Sequence, residues 1–258
     1  MIIEQANNGD FIELKNLWSA VFSEDPTFLE HFFSTRFVAQ NIYVARIDEH
    51  IVSALHALSC QYLQDETIHP CSYIVGAATY APYRKQGIMG KLLAAAQQAY
   101  DHPITLFPAV RPFYEANGYY TTSSVFSFPL EGIAAASYDP ITIDHQKLDG
   151  LYRNEHTRHG CLLRDEEAWK FLTDGYQTLC VDNGYAFISE GKAVEACAST
   201  GPAAKELLGL LAANSITEVH TLENSLIATL LDRQKAVPTP MGMSTDKSMH
   251  GVYIAEQY

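Results

Sequence analysis

Residues 84–91 read Arg-Lys-Gln-Gly-Ile-Met-Gly-Lys and place Arg84, Lys85 and Lys91 in one short stretch with Gly87 and Gly90. The glycines let a ligand come close to the backbone. A helix starting there presents unpaired N–H groups and the positive end of its dipole, which suits an anion. Two phosphate-binding loops can be tested against the letters. A Gly-x-x-x-x-Gly-Lys-Ser/Thr loop read back from Gly90-Lys91 needs glycine where Lys85 stands and a magnesium-binding hydroxyl where Leu92 stands. A dinucleotide-binding Gly-x-Gly-x-x-Gly is absent as well. The letters also suit an ordinary basic strand-to-helix turn in a structural α/β unit.

The flanking pattern supplies the elements that would hold this turn. Residues 73–79 are small, apolar and uncharged, as in a strand covered on both faces. Pro82 ends the strand because it has no N–H for a ladder. From Gly87 onward Ile88, Lys91, Leu92, Ala95 and Ala96 fall at helical spacing. Residues 104–109 read as another apolar strand, and 112–119 as a short helix stopped by Asn117-Gly118, before a strand over 120–128.

Arg84-x-x-Gly87-x-Met89 after an apolar strand resembles the Gln/Arg-x-x-Gly-x-Gly/Ala loop of the GCN5-related N-acetyltransferases (GNAT). Met89 departs from the family's Gly/Ala but keeps its N–H. Phe113-Tyr114-Glu115-x-x-Gly118-Tyr119 resembles the family's second landmark, about 30 residues on and in the expected order. The combination Tyr-Arg-x-x-Gly-Ile-Met-x-Lys-Leu-Leu is similar to the tandem branch of the enhanced-intracellular-survival (Eis) type. The resemblance implies a mixed α/β (α+β) GNAT fold and acetyl-CoA as cosubstrate, with no metal. It implies that Arg84, Lys85, Gln86, Gly87, Ile88, Met89 and Gly90 hold the pyrophosphate. Ala77, Ala78 and Thr79 would pair with the pantetheine arm and offer an N–H to the thioester oxygen. Tyr114 would protonate the departing thiolate. A helix tyrosine packed at the edge of a core is the plain alternative for Tyr114.

The implied reaction is direct attack of a small-molecule or peptide amine on the thioester, both substrates being bound together. The base is left open. Family members use a carboxylate on the strand before the loop, and residues 72–79 contain no Asp or Glu. His56 on the preceding strand, the carboxylate of Tyr258 (a role found in tandem relatives) and water are the alternatives. The missing carboxylate keeps a second function class alive, a non-catalytic acyl-CoA-binding or regulatory module.

The chain has 258 residues, 47% of them hydrophobic, enough for one large domain or two small ones. A net charge of −13 argues against nucleic acid as a partner but spares an anionic cofactor, because the cations at 84, 85 and 91 are local. The five cysteines are scattered, with no Cys-x-x-Cys, and suit free thiols in a reducing cytoplasm. Met1-Ile2-Ile3-Glu4 lacks a basic start, so no secretory leader is expected, and no apolar run is long enough to span a membrane. The sequence leaves a homo-oligomer open.

The expected first domain is 1–132. It starts with a strand at 1–5, a helix capped by Asp10 with Glu13 in a capping box, and a helix over 27–36. A hairpin of 41–46 and 51–60 follows. In the family such helices line the acceptor site, where Glu24, Asp25 and Glu30 could meet a cation; solvated helix-start carboxylates are the alternative. Pro129, Gly132, Ala134–Ala136 and Pro140 read as a connection to a second domain, 133–258. There a helix at 165–172, a hairpin of 178–181 and 185–188, a strand at 193–198, a helix to 213, a strand at 216–222 and a helix at 225–232 nearly repeat the first order. That repetition suggests a degenerate GNAT-like domain. Its Ser199-Thr200-Gly201-Pro202 turn has no arginine and lacks an N–H at Pro202, so it should not bind CoA. An unrelated α+β cap is the alternative.

Overall fold

A computed structural model describes residues 1–136 and 141–256. Pro140 and Tyr258, named above, lie outside the described residues. The chain forms two compact units. The first comprises Met1–Gln61, His69–Tyr120 and Met243–Ser248; the second takes Tyr62–Ile68, Thr121–Gly242 and the segment from Met249 onward.

The first unit begins with β1 (Ile2–Gln5), α1 (Phe11–Phe22) and α2 (Pro26–Arg36). Asp25 caps α2 by accepting from Thr27 and Phe28 N–H. Asp10 does not cap α1 through its side chain; it accepts from Asn7 and from Arg46, 2.6 Å away. Glu13 is likewise diverted, to the N–H of Ile51 at 2.7 Å. For Asp10 the guanidinium on the neighbouring strand displaces the local cap, and for Glu13 a backbone N–H of the next strand does. The strands β2 (Ile42–Ile47), β3 (His50–Gln64) and β4 (Thr67–Thr79) form an antiparallel meander. The β3–β4 hairpin is longer than its apolar stretches suggested. Its turn, Asp65-Glu66, has both φ angles positive, as tight hairpins require.

After β4 come α3 (Ile88–Ala99), β5 (Ile104–Leu106) and α4 (Arg111–Glu115). β5 runs parallel to β4, with the register Ser72↔Ile104 and Tyr73↔Thr105. The other edge of β5 is covered by a late strand, Met243–Ser244, antiparallel through Met243↔Leu106 and Ser244↔Thr105. Thr245 extends the join, exchanging hydrogen bonds of 3.0 Å with Ile104. Met243 is fully buried in the core made by β2–β5 and α3. Met243→Ala is therefore expected to cost about 2–5 kcal/mol. Urea denaturation would read this, and an unchanged midpoint would mean the late strand contributes nothing to the first core.

The chain passes to the second unit at β6 (Tyr120–Thr121). Its elements are β7 (Ser124–Pro129), α5 (His145–His156), β8 (Cys161–Leu162), α6 (Glu166–Gly175), β9 (Gln177–Val181), β10 (Gly184–Ser189), β11 (Lys192–Ala198), α7 (Gly201–Ala213), β12 (Glu218–Thr221) and β13 (Val237–Pro240). The late strand is β14. The expected strand at 120–128 is thus broken, and its larger part, β7, pairs with β12 and β13 in the second sheet. The units divide near residue 120 with a late return, rather than at 132/133, because each completes its sheet with a strand distant in sequence. The expected helix at 225–232 is only a 3-10 turn at Ala228–Leu230, with Ser225 Oγ accepting from Thr221 and from the N–H of Ala228.

The second unit repeats the first. Two helices precede the antiparallel β9–β10–β11 meander, and α7 leads to β12, parallel to β11 through Lys192↔Glu218 and Ala193↔Val219. Among the described residues no helix is long and apolar enough to cross a membrane.

Candidate active site

The first unit carries a cleft of about 520 Å³. Beyond Tyr73↔Thr105 the parallel strands give way to it: Ala77 and Thr79 of β4 line it, as do Ala109 and Val110 after β5. Tyr83, Arg84, Lys85, Gly87, Ile88, Met89 and Gly90 also line it, together with Val21 of α1 and Phe113 and Tyr114 of α4.

Lys85 and Gly87 both have positive φ, +62° and +74°, which bends the turn back on itself. Gly87 is the left-handed residue immediately before α3, and no side chain caps that helix. Most other helix starts in the chain are capped, by Asp25, Asp144, Asp165 and Thr200. The N–H groups of Ile88, Met89 and Gly90 therefore start α3 without an intrahelical or capping partner, at residues that line the cleft. Arg84 is tied back by its Nε, which donates to the carbonyl of Thr79 at 2.9 Å. Gln86, exposed, donates to Pro82 O at 3.0 Å and is not among the lining residues. Ala78 is also off the lining, fully buried with its side chain on the other side of β4. The Ser53 hydroxyl donates to Ala78 O at 2.9 Å. Because that uses its single proton, the Thr79 hydroxyl is the donor in their 2.7 Å contact. Both bonds fix the end of β4.

Tyr114 is only 8% exposed and contacts Phe113 and Tyr119 edge-on. Burial raises its pKa above the ordinary value. Its helix is braced by Asn117, which donates to Phe113 O at 2.7 Å and accepts from Gln97 of α3 at 3.0 Å. Gly90 has a structural duty here, since a Cβ would come within 2.9 Å of Asn117 Oδ1. Nothing in the spacing of residues had pointed to Gln97 or Asn117 as braces, because they meet across two helices.

His56 is not in the cleft. It is 1% exposed and enclosed by Trp18, Phe32 and Phe33, with ring centroids at 5.1, 6.0 and 5.6 Å. Burial lowers its pKa to about 3. A base must touch its substrate proton, and this ring is walled off. Of the acidic candidates, Asp25 is spent on its cap and Glu30 pairs with Lys15.

In the second unit the corresponding turn is closed. Only Ser199 and Thr200 separate β11 from α7, and Thr200 Oγ1 accepts the N–H of Ala203 at 3.2 Å. Pro202 has no N–H to offer.

An uncapped helix start and a buried tyrosine thus line one cleft where the parallel strands part. Residues 3–122 match the family model described as an acetyltransferase (GNAT) domain. The first unit is accordingly similar to a GNAT acetyltransferase domain. Solved structures share the fold over both units. A probable N-acyltransferase from Enterococcus faecalis is 20% identical, with a TM-score of 0.68 over 94% of this chain and 72% of its own. A GCN5-related N-acetyltransferase from Anabaena variabilis is 16% identical, with a TM-score of 0.68 over 96% and 74%. Eis1 from Mycobacterium abscessus is 11% identical, with a TM-score of 0.65 over 95% and 73%. No curated protein sequence matches the chain.

Proposed function

We propose that the cleft binds acetyl-CoA along Ala77–Gly90 and transfers its acetyl group directly to a small-molecule or peptide amine, both being bound together. The observation that carries this reading is the uncapped start of α3 in the same cleft as Tyr114. The pyrophosphate would take the free N–H groups of Ile88, Met89 and Gly90 and the guanidinium and ammonium of Arg84 and Lys85. The neutral amine attacks the thioester carbon. The carbonyl oxygen gains the charge and is held by an N–H of β4 near Ala77 to Thr79. Collapse breaks the carbon–sulfur bond, the sulfur takes a hydrogen bond and then a proton from Tyr114, and the nitrogen gives its proton to water.

In this reading the second unit binds no CoA, its turn being closed by Thr200. Calorimetry with CoA tests both statements. One equivalent per chain is expected, and Arg84→Ala should weaken binding about 10- to 100-fold, as the loss of a hydrogen bond to a charged group does. Two equivalents, or an unchanged affinity, would contradict them.

The absence of a carboxylate in 72–79 and the enclosure of His56 favour a second reading, a non-catalytic acyl-CoA-binding module. Water as proton acceptor removes the need for either group. Slow hydrolysis of acetyl-CoA by the protein alone, lost in Tyr114→Phe, would separate the enzyme from the module.

A further inference from the structure

We propose that Trp18 is the back wall of the acyl site and restricts the transferred group to a short one. The inference rests on the reading that the thioester lies along Ala77–Thr79. Gly76, the residue before Ala77, has a φ of +61°, which kinks β4 at the cleft. The place a Cβ would take at Gly76 is filled by the indole of Trp18, whose Cζ2, Cε2 and Nε1 lie 1.8, 2.1 and 2.5 Å from it. The strand can carry no side chain here because α1 delivers an aromatic ring in its stead. One helical turn further on, Val21 lines the cleft itself, so the helix that delivers the ring also borders the cleft.

This wall is rigid. Trp18 is 2% exposed, stacks on Phe32 at 4.5 Å, and meets Phe33, Phe22 and His56 edge-on at 5.5, 5.5 and 5.1 Å. A close-packed aromatic cluster of this kind does not part to admit methylene groups. Its Nε1 is buried without a hydrogen-bond partner, which the structure tolerates at the very position where the ring meets β4. An acyl tail running past Ala77 toward Gly76 therefore meets the indole, and each added carbon is penalised.

The test is calorimetric titration of the whole chain, and of Trp18→Phe and Trp18→Ala, with CoA, acetyl-CoA, butyryl-CoA and hexanoyl-CoA. One methylene too many in an apolar pocket costs about 10- to 200-fold in discrimination. The unmodified protein should bind hexanoyl-CoA at least about tenfold more weakly than acetyl-CoA, and Trp18→Ala should abolish that difference. Trp18→Phe, which keeps a ring in the cluster and guards against misfolding, should shift the preference toward butyryl-CoA. Equal affinities for all acyl chains in the unmodified protein would overturn the wall, as would a chain-length profile that neither variant changes. Failure to bind CoA itself would instead remove the cofactor reading, and the wall with it.

Discussion

Tyr114→Phe is expected to lower turnover at saturating acetyl-CoA by about 10²- to 10⁴-fold, the range for loss of a positioned general acid, while leaving acetyl-CoA affinity nearly unchanged. The side chain lies in the cleft with its ring packed against Phe113 and Tyr119, so phenylalanine keeps the packing and removes only the hydroxyl. The pH dependence follows from burial. A phenolate is disfavoured in this surrounding, so the folded pKa lies above 10 and the acid form is fully present at neutral pH. Loss of the proton should then give a falling limb of kcat above pH 10, and that limb should vanish in Tyr114→Phe. A phenol of pKa above ~10 is a weaker acid than a thiol near ~8.5, so complete transfer to sulfur is uphill by roughly 2 kcal/mol. The gain comes from the hydrogen bond to the developing charge, which a free donor supplies without reorganisation. Steady-state rates with any amine that the protein acetylates would check this, and unchanged turnover would end the assignment of Tyr114 as the acid.

The cleft could be read from the sequence because its parts are local. An apolar strand, a proline, a basic turn with glycines and a helix follow one another within about twenty residues, and each leaves a mark in the letters. Gly87 was legible for the same reason, as a residue whose φ of +74° starts α3. What could not be read depends on meetings between distant residues. The pairing of β14 with β5 joins residues 106 and 243 and has no local signature. Nor does the placement of Trp18 on Gly76, which belong to elements distant in sequence. His56 was a reasonable base from its ordinary pKa, and only its aromatic enclosure removes it. The helix α5 was missed although Leu148, Leu151 and Tyr152 fall at helical spacing behind Asp144.

Arg164 marks the deepest non-local arrangement and carries the largest expected effect on stability. It is buried in the second unit, bidentate to Glu195 at 2.7 Å on both oxygens, with its Nε on Glu256 at 2.8 Å. Its guanidinium lies 3.9 Å from the ring centre of Tyr152 and 4.8 Å from that of Trp169. Tyr185 and Tyr253 donate their hydroxyls to Glu195 at 2.7 and 3.1 Å. Arg164→Met keeps much of the volume but leaves two buried carboxylates without their cation, so a loss of about 3–5 kcal/mol is expected. Replacing all three charged residues with apolar ones of similar size should cost far less, since no buried charge is then stranded. The acid side has a definite sign. Burial alone would raise the Glu195 pKa, but Arg164 and the Tyr185 hydroxyl hold it below the ordinary carboxylate value. A depressed folded pKa adds stability that is fully present above the unfolded value, near 4.5. That stability drains as pH falls through the folded pKa. Denaturant midpoints measured from pH 7 down to pH 3 should therefore fall steeply below about pH 4.5 in the unmodified chain. In Arg164→Met the sign should reverse: without the guanidinium, burial raises the folded Glu195 pKa above its unfolded value, so the folded state binds the proton more readily and the variant should recover stability as pH falls through that raised pKa. Superimposable pH profiles for the two proteins would show that the network contributes packing alone.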